Sequence, residues 1–182
     1  MKARVILLSL AIATTLFTGC AKQAAAPAAN NGTKTDAVAS ASVTDNVDVF
    51  AKTLGKDGKW IICATKDLTT TKELVLDGDF TNGKKDANGK DTIQRKIALY
   101  TQDDKKNVTA RFTLTAPKLT IKSPEARIQS GTFKGDLYVS AKNFQLVDAK
   151  VDGNVYFTTD EAKSTFKMDE KSSVTGKQEL KK

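Results

Sequence analysis

The sequence predicts an all-β domain over residues 46–182: a short parallel β-solenoid of a few coils, with a small helix capping its N-terminal end. The first observation behind this is a phrase that recurs in phase. "ARIQSGTFKGDLYV" (126–139) aligns without gaps to "FQLVDAKVDGNVYF" (144–157), and "FKMDEKSSVTGKQEL" (166–180) follows with one extra residue. The second is the alternation inside each copy, which has the period of a strand with one face buried and one face exposed. The third is composition. With 40% hydrophobic but only 7% aromatic residues, the chain can fill a narrow core of small and β-branched side chains rather than a thick one.

The N-terminus reads as an export signal. In "MKARVILLSLAIATTLFTGC", Lys2 and Arg4 form a charged n-region and Val5 to Leu16 an apolar run of twelve residues. A stable bilayer span needs about 20, so the run fits a cleaved signal better than a transmembrane helix. Phe17-Thr18-Gly19-Cys20 resembles the bacterial lipobox, in which a small residue precedes an invariant Cys. The resemblance implies diacylglyceryl transfer to the Cys20 thiol and cleavage between Gly19 and Cys20. Residues 1–19 are thus expected to be the signal peptide. Two or more acyl chains would then anchor the protein stably to a membrane.

Residues 20–45 follow as the lipidated Cys and a tether. "AKQAAAPAANNGTKTDAVASASVTD" offers almost nothing to bury, and such composition does not offset the entropy of ordering. A flexible chain of this length reaches roughly 25–30 Å, enough to clear the lipid headgroups. With Cys20 lipidated, Cys63 in "KWIICATKD" is left as a small core hydrophobe rather than half of an internal disulfide.

In "VTDNVDVFAKTLG", Val47, Phe50, Ala51 and Leu54 make one helical stripe, suited to covering the first coil edge. "GKWIICATKD", "KELVLDGDF", "RKIALYTQDD" and "NVTARFTLTAPKLTIKS" read as strands between polar turns. The "KDLTTTKE" stretch reads as a charged hairpin corner, and "TNGKKDANGKD" (81–91) as a long exposed loop. "LVLDGDF" (74–80) is a half-echo of the repeat.

The repeat itself matches position by position. Ile128 aligns with Leu146, Gly131 with Ala149, Phe133 with Val151, Gly135 with Gly153, and Asp136 with Asn154. Tyr138 then aligns with Tyr156. In the third copy Met168, Val174 and Gly176 take the corresponding places. Gly followed by Asp or Asn predicts a tight corner, with φ positive or a side chain bonded to backbone. Gly135, Asp136, Gly153, Asn154 and Gly176 are therefore the expected structural turns, with Asp136 and Asn154 stacked in a ladder. Antiparallel hairpins in a sandwich or barrel use the same turn residues, and that alternative stays open. "GTFKGDLYV" and "AKVDGNVYF" resemble the repeats of bactofilins, polymer-forming bacterial cytoskeletal proteins, over about residues 112–180. The resemblance implies a compact right-handed β-helix whose ends stack into filaments, and hence end-to-end self-association.

The remaining features narrow the function. The chain contains no His, which excludes His-dependent triads and His-ligated zinc. Asp86, Asn88 and Asp91 in "DANGKD" lack the spacing and terminal Glu of a calcium loop, so a plain turn is the reading. Asn107 in "NVTA" matches a glycosylation sequon. Net charge is +8 over the chain, spread as Lys alternating with apolar residues, with too few aromatics beside the cations for nucleic acid. No catalytic, metal or cofactor site is expected. The sequence points to a non-enzymatic, lipid-anchored extracytoplasmic protein with a structural, scaffold or interaction role in the cell envelope. The second reading is a glycan- or solute-binding surface module using the Tyr138–Tyr156 and Lys face, with cell-wall polymer or another envelope protein as partner.

Overall fold

The computed structural model describes residues 41–181. The expected signal peptide, the Gly19-Cys20 cleavage and lipidation site, and residues 20–40 of the expected tether lie outside them. Strand β1 (Ala41–Thr44) leads into helix α1 (Val47–Thr53), followed by β2 (Ile61–Ala64), β3 (Leu68–Thr69) and β4 (Leu74–Leu76). A hairpin of β5 (Thr81–Lys85) and β6 (Asp91–Ile93) precedes β7 (Arg95–Ala98). A second hairpin, β8 (Tyr100–Gln102) with β9 (Val108–Arg111), precedes the longest strand, β10 (Thr113–Ile121). Then come β11 (Ala126–Gln129), β12 (Thr132–Val139), β13 (Gln145–Val147), β14 (Lys150–Asp152) and β15 (Val155–Phe157). The short helix α2 (Asp160–Ser164) and strands β16 (Lys167–Met168), β17 (Ser173–Val174) and β18 (Gln178–Leu180) complete the domain.

The domain is all-β with two large parallel sheets. The first runs β1-β2-β7-β11-β13-β16. The second places β10 between β12 and the pair β3 and β4, and continues from β12 through β14 and β15 to β17 and β18. Every pairing in both sheets is parallel, which excludes the antiparallel sandwich. The registers join the residues that the repeat alignment matches. Ile128 pairs with Leu146 and Leu146 with Met168, while Phe133 pairs with Val151 and Val151 with Val174. Apolar side chains of both sheets meet in one core, including Ile62, Ile97, Ile128 and Leu146 from the first and Leu119, Phe133, Leu137 and Val155 from the second. Alternation along β10 and β12 leaves Thr, Lys, Asp and Tyr on the outer face.

Four expectations are corrected. Residues 41–44, assigned to the tether by composition, pair as β1 with β2 from Ala41↔Ile61 to Thr44↔Ala64. A polar-looking edge strand needs little burial once its backbone is paired. Residues 81–91 are not a loop but most of the β5–β6 hairpin. Its turn closes by Gly89 N–H donating to Asp86 O at 3.0 Å, and Asp86 Oδ1 accepts from Asn88 and Lys90 N–H. Turn chemistry rather than an apolar pattern specifies it. The "KDLTTTKE" stretch is not a hairpin corner, because β3 pairs in parallel with β10. Finally, Gly78-Asp79 in the half-echo follows β4 at the exit to the β5–β6 hairpin, a different place from Gly135.

Helix α1 forms where the apolar stripe places it. Asn46 caps it, its Oδ1 accepting from Asp48 and Val49 N–H at 2.9 and 3.1 Å. Phe50 and Leu54 are fully buried in the common core. Its C-terminal end is held by Arg95, which is completely buried. That guanidinium donates to Thr53 O at 2.6 Å, Gly55 O at 3.0 Å, Asp77 O at 2.5 Å and Lys59 O at 3.1 Å. It also lies 3.8 Å from the centre of the Phe80 ring. Burial pushes its pKa down to about 10, with Asp77 opposing the shift, so it stays charged at neutral pH.

Candidate functional site

The second sheet's outer face carries the predicted turn residues and the tyrosine pair together. Gly135 and Asp136 lie inside β12, at the point where its register with β10 shifts, rather than between two strands. Gly153 and Asn154 separate β14 from β15, and Gly176 lies between β17 and β18. They therefore bend a sheet instead of reversing the chain. Gly135 has φ +140, a conformation L side chains rarely adopt, and a Cβ there would collide with Ala116 O. Gly153, at φ +157, lies at the edge of the same region, and a Cβ there would collide with Gly135 O. A Cβ at Gly176 would in turn lie 2.6 Å from Gly153 O. The three glycines form a column in which backbone packs on backbone.

Beside them runs the side-chain ladder. Asp136 Oδ1 accepts from Asn154 Nδ2 at 2.9 Å and from Asn154 N–H at 3.2 Å, and Asn154 Oδ1 accepts from Lys177 N–H at 3.0 Å. One column further, Val75, Thr120, Tyr138, Tyr156 and Glu179 stand in register across neighbouring strands. The Tyr138 and Tyr156 rings are half-buried, with centroids 4.9 Å apart and planes tilted by 46°. Lys118 Nζ lies 4.9 Å from the Tyr138 ring centre, and Lys181 Nζ lies 4.4 Å from that of Tyr156. Lys181 also donates to Tyr138 Oη at 3.2 Å, a bond that holds its pKa above the ordinary lysine range. Lys118 pairs with Glu73 at 3.2 Å. The arrangement offers two amphipathic rings and two ammonium groups on an open face.

The other residues singled out by sequence sit elsewhere. Cys63 is buried on β2, in a small cluster with Ala41, Ile61, Ala98 and Tyr100. Asp86, Asn88 and Asp91 belong to the β5–β6 hairpin, where Asp91 pairs with Lys85 at 2.8 Å. Among the described residues no group of three or more His, Cys, Asp or Glu could hold a metal ion, and no helix is long and apolar enough to cross a membrane. Asn107 turns the β8–β9 hairpin, donating from N–H and Nδ2 to Asp103. Those bonds hold the Asp103 carboxyl below its ordinary range.

Two features escaped sequence reasoning. Four left-handed corners beside β11 and β13 belong to Glu125, Ser130, Asn143 and Asp148, with φ between +52 and +57, and none of these four is glycine. Glu125 recurs as Asn143 and Ser130 as Asp148 at the repeat spacing, so the repeat alignment held the signal. Asn143 bonds Glu125 Oε1 through Nδ2, and Asp148 Oδ2 receives Arg111 Nη2 at 2.6 Å and lies 3.2 Å from Ser130 Oγ. Asp148 N–H then donates to Asp169, whose carboxyl the Ser172 hydroxyl holds below its ordinary range. A groove of about 660 Å³ beside these groups is lined by Gln129, Asp148, Asp169 and Glu170, with Asp148 already bonded to Arg111 and Asp169 to Asp148 N–H and Ser172 Oγ. Arg95, the second missed feature, has no local signal at all.

No protein-family model, curated protein or solved structure matches the chain significantly.

Proposed function

We propose that the protein is a lipid-anchored, extracytoplasmic envelope protein with a non-enzymatic scaffold or interaction role, presented by a short right-handed β-solenoid. The observation that carries the address is the run from Lys2 to Cys20, with its charged start, its twelve-residue apolar stretch and Phe17-Thr18-Gly19-Cys20. Support for the solenoid comes from the parallel registers. Phe133↔Val151 and Val151↔Val174 return the chain to the neighbouring place in the same sheet after 18 and 23 residues. The bactofilin-like repeats add end-to-end self-association, which sedimentation at increasing concentration would detect.

The deciding experiment is metabolic labelling with fatty acid. Cys20→Ser should abolish label incorporation and leave an uncleaved precursor. Label retained in that variant, or a mature N-terminus other than Cys20 by mass spectrometry, would remove the anchor from this reading. The Tyr138–Tyr156 face with Lys118 and Lys181 favours an interaction role over a purely mechanical one.

A further inference from the structure

We propose that the Tyr138–Tyr156 pair and its flanking lysines dock a linear acidic polysaccharide, a chain of pyranose rings bearing carboxylates. The proposal deepens the interaction reading above and names the class of partner. Its first support is directional. The Val75, Thr120, Tyr138, Tyr156 and Glu179 column crosses the strands in register, so its side chains recur at the inter-strand spacing of about 4.8 Å. An extended pyranose polymer laid along that column advances by about one strand per ring. Successive sugars therefore meet successive side chains of the same column.

The second support is the chemistry of the rings. Tyrosine offers a π face to the C–H face of a sugar and a hydroxyl to its polar edge. The 46° tilt between the two rings makes a shallow trough rather than a flat plate, which suits the staggered faces of linked pyranoses. At 4.9 Å between centroids, the tyrosines touch each other and leave no slot for an inserted base, which disfavours single-stranded nucleic acid.

Charge makes the choice between neutral and acidic sugars. Lys118 and Lys181 place ammonium groups within 5 Å of the rings. Of the nearby carboxylates, Asp136 is engaged by Asn154, and Glu179 stands at the far end of the column beside Tyr156. The acidic chain is therefore seated on Thr120, Tyr138 and Tyr156, between the two lysines. Lys181 has as its hydrogen-bond partner the Tyr138 hydroxyl, and Lys118 has the exposed Glu73. Exposed ammonium–ring contacts and exposed ion pairs are each worth about 1 kcal/mol or less. An incoming carboxylate can displace either without a large cost. A flat face gives weak binding per site, so retention grows with polymer length through multiple engagement.

The test is affinity electrophoresis of the full chain in non-ionic detergent, through gels containing polygalacturonate, dextran or polyphosphate. Retardation should require at least ten-fold less polygalacturonate than dextran. The pair Tyr138→Ala, Tyr156→Ala should weaken it ten-fold or more, and Tyr138→Phe, Tyr156→Phe should keep most of it. Lys118→Gln with Lys181→Gln, both on the surface, should remove most of the retardation and its salt dependence even if the alanine pair fails to fold. Absence of retardation by polygalacturonate overturns the proposal. Equal retardation by dextran, or polyphosphate binding at the same level with no loss in the tyrosine or lysine variants, overturns it as well. None of these outcomes bears on fatty-acid labelling at Cys20, so the anchor and the ligand can fail separately.

Discussion

Residues 41–111 and residues 112–181 build the same two sheets by different means. In the later half, strands follow one another at near-constant spacing, and glycine backbones stack directly in a column through Gly135, Gly153 and Gly176. In the earlier half, two antiparallel hairpins interrupt the sheets, and helix α1 fills the end of the core with Phe50 and Leu54. There the irregular backbone is gathered by one side chain, Arg95, bonded to four carbonyl oxygens. Regular repetition lets backbone satisfy backbone. Where repetition breaks, a long multidentate donor has to satisfy carbonyls that no strand reaches.

The sharpest way to break this contrast is to remove that donor. Arg95→Leu leaves Thr53, Gly55, Lys59 and Asp77 carbonyls facing an apolar side chain, and should cost about 3 kcal/mol or more. Arg95→Lys should recover less than half, because one ammonium cannot span four acceptors. Urea unfolding of the full chain, read by the shift in midpoint, checks both. If Arg95→Leu moves the midpoint no more than an ordinary surface change, the earlier half is held by something else.

The regular half is tested at its glycines. Gly135→Val and Gly153→Val should each cost roughly 2–4 kcal/mol, since the new Cβ meets backbone that cannot retreat without separating strands. Because Gly153 packs on Gly135 O, the double variant should show a coupling of about 0.5 kcal/mol or more. Strict additivity would mean that the two sites relax independently and that the column is not a cooperative unit.

A smaller effect belongs to the side-chain ladder. Asp136→Ala takes the acceptor from two Asn154 donors in a partly solvated place and should cost about 1 kcal/mol. Asp136→Asn, which keeps an acceptor oxygen, should cost less.

The smallest effect is acidic. Asp169 has its carboxyl held low by Ser172 and by Asp148 N–H. A lowered folded value contributes stability that is present above the ordinary carboxylate range and is lost as pH falls through the folded value. Thermal melts below about pH 4 should therefore steepen their decline, and Asp169→Asn should flatten that limb. An unchanged limb would show that the carboxyl titrates alike in the folded and the unfolded chain.

The two halves also differ in how legible they were. The repeats announce themselves because Leu137 and Val155, or Phe133 and Val151, do the same job one strand apart. Their spacing carried the register, the glycine column and the Asp136–Asn154 ladder. The type of bend was not legible, because Gly-Asp also serves hairpins, and only the neighbouring strand decides between them. The left-handed corners at Ser130 and Asp148 were hidden by the expectation that glycine takes such positions. Arg95 was illegible for a stronger reason. Its acceptors lie between 18 and 42 residues away in sequence, and an Arg beside an apolar run reads as solvent-facing. The β1 strand was obscured by composition, since Ala-Ser-Val-Thr looks like tether until β2 offers it a partner.

The register steps carry a kinetic consequence. Strands in the later half find their partners across short stretches of chain, with Leu114 opposite Phe133 and Phe133 opposite Val151. Ile62 must wait for Ile97, and Ile97 for Ile128, across the two hairpins. Doubling a closed loop adds about 0.6 kcal/mol to its entropic cost, and local contacts speed folding. We expect the rate-limiting nucleus to form around β10, β12 and β14, with β2 and α1 docking afterwards. Val151→Ala should then slow folding, whereas Ile62→Val should mainly hasten unfolding. The reverse pattern would place the nucleus in the irregular half. On the expected order, the strands that begin the fold lie after β2 and α1 in the sequence, so the tyrosine face is organised before the elements that precede it have docked.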